Sequence, residues 1–263
     1  MSENLILTEA KDKILKIILN DPKTRNAFSL DMAQELLKVV KQADKNPDIR
    51  CIILTGASPS FSAGGNIKLM AQTPRGKREK FFLDISKALH EVAMIFRQSH
   101  KIIIASINGP VSGVALGLAL SSDLRLASSE ATFNAGTTLI GLAPNGSSTY
   151  YLPRLIGMAK ATEMLLTGKK VSAEEACSLG LINRVCTPDS LEKEAWDLAT
   201  QISKGAPLAQ AKIKQLLSTT WDKSLKNQLE DERQAIAWTS ETDDFDEGIQ
   251  AFLNKRSSQF QGK

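Results

Sequence analysis

Residues 61–70 read FSAGGNIKLM and place two adjacent glycines, Gly64 and Gly65, just beyond an apolar run, RCIILTG, at residues 50–56. That run reads as a buried strand, so side chains are missing where a sheet opens at its end. Glycine there lets main chain approach a ligand closely and adopt positive φ. Backbone N–H groups freed at such bends can hold an anion or a developing oxyanion. For a Gly-Gly pair taken alone, a tight turn without a ligand is the alternative. Side chains that move protons are few. His90 and His100 are the only histidines. His90 lies beside an apolar stripe of Ile85, Leu89 and Val92, and histidine titrates near neutrality, so a general-base role stands against a structural or surface one. His100, next to Lys101 at a strand entrance, reads as structural. Tyr150, Tyr151 and Thr137 offer hydroxyls that can position water or substrate, although tyrosine ionises near pH ~10 and is a poor base. Cys51, Cys177 and Cys186 have neither paired spacing nor nearby histidines, so no metal site and no disulfide framework are expected, and a reducing compartment is.

The elements that must position these residues follow from periodicity. ILKIILN at residues 14–20 reads as a strand, and Ser29 as the N-cap of a helix over LDMAQELLKVVKQADKN. Phe81, Phe82, Ile85, Leu89, Val92 and Phe96 recur at helical spacing and predict an amphipathic helix over residues 78–98. KIIIASIN is another buried strand. After Gly109-Pro110, VSGVALGLALSS reads as a helix packed closely on a neighbour, because small residues at Gly113, Ala115, Gly117 and Ala119 leave no bulk. DLRLAS and ATF give short strands. From about Met158 the chain reads as helical almost throughout, with Ser172 and Glu175 spaced as a capping box. The recurrence of strand, loop and helix predicts an α/β fold with loops gathered at one edge of the sheets, where ligands bind.

Length and composition bound the rest. A chain of 263 residues can bury a sizeable core. With 42% hydrophobic and 24% charged residues it is neither disordered nor membrane-spanning by composition. The net charge of +4 is compatible with a phosphorylated ligand or with nucleic acid. The densest basic run, RGKREK at residues 75–80, has no interleaved aromatics and reads as a solvated helix start, so nucleic acid is not an expected partner. The N-terminal stretch shows no signal or transit pattern, and a cytoplasmic location is expected. Trp196, Trp221 and Trp238 in the helical end give it more apolar surface than it easily buries alone. Homo-oligomerisation is one reading of that; tryptophans in a core is the other.

Five stretches in register, FSAGGNIKLM, INGPVSGVALGLALSSDLRLA, GLAPNGSSTYYLPRLIG, ATEMLLTGKKVSAEEACSLGLINRV and EGIQAFLNKRSSQF, resemble the enoyl-CoA hydratase/isomerase (crotonase) superfamily. The resemblance covers nearly the whole chain. It implies an α/β crotonase-like spiral of repeated ββα units. It further implies a core over residues 1–200 holding an acyl-CoA site, and a C-terminal helical region over residues 201–263 that builds a homotrimer or dimer of trimers and closes on CoA. Coenzyme A, as part of the thioester substrate, is the only cofactor implied. The Gly65 and Val114 amides would grip the thioester oxygen, where enolate chemistry builds negative charge. The resemblance places Arg25 and Ala27 at the CoA nucleotide, with Ser62, Ala63, Gly64, Gly65, Asn66 and Ile67 along the pantetheine arm. Gly113 and Thr137 fall beside the thioester, and Phe252 and Lys255 match positions that close on CoA, often from a neighbouring subunit.

The same resemblance leaves three carboxylate positions empty. The two glutamates that hydratases use fall on Gly117 and Thr137, and the single acid of isomerases and epoxide-opening relatives falls on Asn145, a neutral amide. Ordinary two-glutamate hydration is therefore not expected. His90 aligns with the general base of 4-chlorobenzoyl-CoA dehalogenase, whose nucleophilic aspartate falls on Asn145. A bound bicarbonate in the gap at Gly117 and Thr137, as in dihydroxynaphthoyl-CoA synthase, is a further implied source of a base. The alternatives to an atypical enzyme are a non-catalytic acyl-CoA binder and, more remotely, an RNA-binding family member.

Overall fold

The computed structural model describes residues 4–263; residues 1–3, the start of the expected core, lie outside the described residues. Strands β1 (Ile6–Lys11) and β2 (Ile14–Leu19) form a hairpin whose two turn residues, Asp12 and Lys13, both have positive φ (50° and 68°). That is the geometry a two-residue hairpin turn needs. Sequence reading finds β2 but not β1. The turn lacks the usual Asn-Gly signal, and β1 buries only Ile6, so it carries no alternation.

Helix α1 (Leu30–Lys45) starts where expected, with Ser29 Oγ accepting Met32 N–H. It is followed by β3 (Cys51–Gly56), α2 (Ile67–Gln72), α3 (Arg75–Gln98), β4 (Ile102–Ile107) and β5 (Val111–Ser112). Next come α4 (Val114–Leu120), β6 (Leu124–Ser128), β7 (Thr132–Asn134), α5 (Ser148–Thr167), β8 (Lys170–Ser172), α6 (Ala173–Ser178) and β9 (Arg184–Cys186). Helices α7 (Leu191–Ser203), α8 (Pro207–Thr219), α9 (Leu225–Thr239) and α10 (Asp243–Leu253) complete the chain. Ser172 caps α6 by accepting Glu175 N–H, which is half of the predicted capping box.

The large sheet runs β1-β2-β3-β4-β6-β9, parallel throughout except for the hairpin. Its strands alternate between two apolar layers. Ile52, Leu54, Ile103 and Ala105 face the main core with α1 and α3, while Cys51, Ile53 and Ile104 face α7 through Leu191, Ala195 and Ala199. Each fully buried Ile or Leu of this kind stabilises by roughly 1.5–3 kcal/mol. Burial also pushes the Cys51 thiol up to about 12. A small second sheet, β5-β7-β8, stands beside the large one. This is the α/β spiral with a helical C-terminal region that the sequence implied, and among the described residues no helix is long and apolar enough to cross a membrane.

Three boundaries move. The helix expected over residues 111–122 is split: β5 takes the first two residues, and Gly113, at φ 54° and ψ −126°, turns the chain into α4. Only glycine adopts that region readily. The helix expected from Met158 begins at Ser148, hidden in the sequence by Pro153 and by Gly157, whose φ of 76° breaks it. Helix α3 begins at Arg75 rather than residue 78, and the basic run forms its exposed first turns.

Two contacts lock the layers around α4 and β4. Lys214 of α8 is 7% exposed and donates to Asp123 Oδ2 at 2.7 Å and to Lys101 O, while Asp123 also accepts Ile103 N–H. Burial works against both charges, pushing the Asp123 carboxyl up and the Lys214 ammonium down, and each partner opposes that shift. On α4, Gly117 faces the main chain of Gly146; a Cβ there would lie 1.7 Å from Gly146 O. Ser147 Oγ–H donates to Gly117 O at 3.0 Å across the same contact.

Lys214→Ala strands the buried Asp123 carboxylate and is expected to lower stability by roughly 3 kcal/mol in urea unfolding. Removing Lys193 from its exposed pair with Asp197 should fall within experimental error. Gly117→Ala forces backbone apart and should cost at least about 3 kcal/mol. Gly117→Glu, which writes a hydratase acid back into the sequence, should give no soluble native protein, and a folded, active Gly117→Glu chain would refute the packing argument.

Candidate active site

The loop after β3 is stitched on both sides. Phe28 N–H donates to Gly64 O at 2.7 Å and Asn66 N–H to Phe28 O at 3.1 Å, so Gly65, bridged between them, turns its own N–H away from Phe28. On the other side Ser62 pairs with Val111, through Ser62 N–H to Pro110 O and Ser112 N–H to Ser62 O. Gly113 N–H goes to Asn134 O at 2.9 Å, leaving Val114 as the first residue of α4. No acceptor for the Gly65 or Val114 N–H occurs among the described residues. The first N–H groups of a helix have no partner within it. Both residues line one cavity of about 530 Å³.

Backbone geometry requires glycine at Gly64 and Gly113, while at Gly65 a side chain would have only the flexible Met70 to displace. Gly64 has φ 89°, and a Cβ would lie 2.6 Å from Ser112 O. Gly65, contrary to expectation, is not at positive φ; a Cβ on it would meet the Met70 methyl, which also lines the cavity, at 2.2 Å. Gly113 needs its φ of 54°.

The cavity gathers Ala63, Gly65, Ile67, Gly113, Val114, Thr137 and Asn145, as the sequence implied. Thr137 lies beside Gly113, and its hydroxyl donates to Ala135 O at 3.2 Å. Other expected contacts turn out to be scaffolding. Ser62 is fully buried, its Oγ–H donating to Asn26 O at 2.6 Å while Oγ accepts Gly64 N–H. Asn66 caps α2 through Leu69 N–H. Arg25 and Ala27 lie outside the cavity but run alongside the loop, where Ala63 N–H donates to Arg25 O; Arg25 is exposed and Ala27 buried. Phe252 is 83% exposed and Lys255 closes the end of α10, and neither lines the cavity of this chain. Tyr150 is held between the Arg97 and Arg154 guanidiniums, and Tyr151 opens on a different cavity, so neither positions a ligand here.

His90 and Asn145 do meet, at 2.6 Å between Nε2 and Oδ1. Asn145 Oδ1 also accepts Gly146 N–H at 2.7 Å, and Asn145 Nδ2 donates to Ser86 Oγ at 2.7 Å. With the amide oriented by those two bonds, the His90 nitrogen facing it must carry a proton. His90 thus anchors Asn145 from the exposed side of α3 and does not line the cavity, an arrangement unlike that of a general base poised on substrate. The gap expected at Gly117 for a small anion is filled by Gly146 O. Among the residues lining the cavity, none ionises. Sequence reading missed Ser86; a polar residue inside the apolar stripe of α3, one turn before His90, was the available signal.

Comparison with known proteins places the chain in a family. The sequence profile of the family described as "Enoyl-CoA hydratase/isomerase" matches residues 9–263. The chain is 31% identical over 258 residues to the 1,2-epoxyphenylacetyl-CoA isomerase of Escherichia coli, covering 98% of each chain. It is 30% identical over 257 residues to the short-chain-enoyl-CoA hydratase of Clostridium acetobutylicum, covering 97% of each. The crystal structure of an enoyl-CoA hydratase from Bacillus anthracis superposes with a TM-score of 0.92 at 31% identity, covering 99% of this chain and 100% of that one. By its profile, its relatives and its fold, the chain belongs to the enoyl-CoA hydratase/isomerase (crotonase) superfamily.

Proposed function

We propose that this protein is an acyl-CoA thioester enzyme that stabilises a thioester enolate between the Gly65 and Val114 amides, with an atypical proton shuttle in place of a glutamate pair. The observation that carries the reading is the pair of main-chain N–H groups, each without an internal acceptor, opening on one apolar cavity. Two preoriented donors in a cavity lined mostly by apolar side chains match the charge that develops on a thioester oxygen, and they cost no reorganisation when it forms. With no ionisable side chain in the cavity wall, the proton moves through substrate or water. That fits isomerisation, weak hydration, or cleavage at a carbon–carbon or thioester bond better than two-glutamate hydration. CoA runs past Arg25 and Ala27, whose segment flanks the loop, and Arg25 offers its guanidinium to phosphate. No cofactor beyond CoA enters the reading, and the location proposed is cytoplasmic.

The same absence of acids favours a second reading, a non-catalytic acyl-CoA binder. A panel of enoyl-CoAs followed by absorbance and mass separates the two. Val114→Pro is the sharpest variant, because proline is tolerated at the first helical position and removes the N–H while keeping the helix. It is expected to keep thioester binding and lower kcat by about 10²–10³-fold. An unchanged rate would refute the enolate role, and binding without turnover in the unaltered protein would favour the binder.

Oligomerisation belongs to the same proposal. Trp221, Leu225, Ile236, Phe252 and Leu253 in the C-terminal region are each at least two-thirds exposed in the single chain, at 68%, 73%, 71%, 83% and 68%. Residues 201–263 would bury these faces in a homotrimer or dimer of trimers and bring Phe252 and Lys255 to CoA. Sedimentation equilibrium is expected to give the mass of three or six chains; a monomer at micromolar concentration would refute it.

A further inference from the structure

The cavity contains a donor that the enolate chemistry leaves unused. Ser86, on α3, lines the cavity with Phe82, Ile85 and Leu89. Its Oγ accepts Asn145 Nδ2–H at 2.7 Å, and the Asn145 amide cannot turn over, because its oxygen is held by Gly146 N–H and His90. A serine hydroxyl inside a helix commonly gives its own proton to the carbonyl one turn back. Thr73 does so to Leu69 O at 2.7 Å and Thr167 to Glu163 O at 2.6 Å in this chain. Ser86 makes no such bond, and no acceptor for its O–H occurs among the described residues. The chain thus spends a four-membered polar arrangement, His90, Asn145, Gly146 and Ser86, on holding one neutral donor beside Phe82, Ile85 and Leu89, in a cavity that Ser112, Asn134 and Thr137 also line.

We propose that Ser86 is a specificity-determining residue whose O–H donates to a second oxygen of the acyl group. The preferred substrates are then CoA thioesters whose acyl chain carries a hydroxyl, oxo or epoxy oxygen, rather than plain hydrocarbon chains. This inference rests on the acyl-CoA reading of the cavity. A donor presented this way discriminates in both directions: it gains a bond with an oxygen-bearing chain, and it is left unpaired and desolvated by a plain one. Neutrality suits the task, since neither Ser86 nor Asn145 can exchange a proton with the ligand at ordinary pH.

Calorimetry with hexanoyl-CoA and its 3-oxo, 4-oxo and 5-oxo counterparts, together with the matching hydroxy compounds, tests it. In the unaltered protein at least one oxygen-bearing chain should bind roughly tenfold more tightly than hexanoyl-CoA, the size expected for a single neutral hydrogen bond. Ser86→Ala should abolish that preference and leave hexanoyl-CoA binding equal or tighter. Ser86→Cys, which keeps the volume and only a weak donor, should behave the same way and covers the case in which the alanine variant folds poorly. Equal binding of all the chains, or a preference that survives both substitutions, would overturn the proposal while leaving the acyl-CoA site standing. Failure of every thioester and of free CoA to bind would instead overturn the site itself, and the proposal with it.

Discussion

The pairing of residues 62–65 with main chain on both sides is the constraint on which the site depends. Phe28 takes up the groups flanking Gly65, and the segment from Pro110 to Ser112 takes up those of Ser62. A strand-like segment held along one edge must turn its remaining amide to the other. At Gly65 that edge is the cavity. At Val114 the same outcome comes from a helix start, where geometry forbids an internal partner. The two donors are therefore rigid products of backbone pairing, and no side chain can relax to spoil them.

Much of the rest of the sequence serves that arrangement. Asn26, fully buried, donates through Nδ2 to Ala57 O and Ser60 O and so ties the segment before α1 to the loop after β3. Ser62 and Gly64 close the loop from within. On the far side, the Gly117–Gly146 contact draws α4 against the segment that carries Asn145. That contact also explains why no acid stands at Gly117: the space a side chain would need is occupied by a carbonyl. At that position the packing leaves no room for a side chain, and in the cavity Asn145, Ser86 and Thr137 present a neutral amide and hydroxyls.

Several sequence expectations survive because they rest on periodicity. Ser29 as a cap, the stripe of α3 and the buried strands β3 and β4 each follow from spacing and hydropathy, and those signals are local. Expectations about individual side chains fare unevenly. Ser62 and Asn66 have the right place but point into the scaffold, since a short polar side chain in a tight loop finds backbone partners first. Tyr150 and Tyr151, near Asn145 in sequence, are carried away by α5. Strand β1 and the onset of α5 leave little trace, the one because it is solvent-facing, the other because Pro153 and Gly157 read as breakers.

By itself the sequence determined the α/β class, the order of the principal elements, the family and the two loops that supply backbone donors. These are encoded by hydrophobic period and by glycines with no local substitute. Only the tertiary structure decided that the Gly65 and Val114 amides share one cavity, that His90 reaches Asn145 and anchors it, that Ser86 joins them, and that Gly117 is sealed. Each of those depends on groups at least 29 residues apart in the chain, as with Gly117 and Gly146, or 59 apart, as with Ser86 and Asn145. Distances between such groups are set by how layers pack, and no local pattern of residues records them.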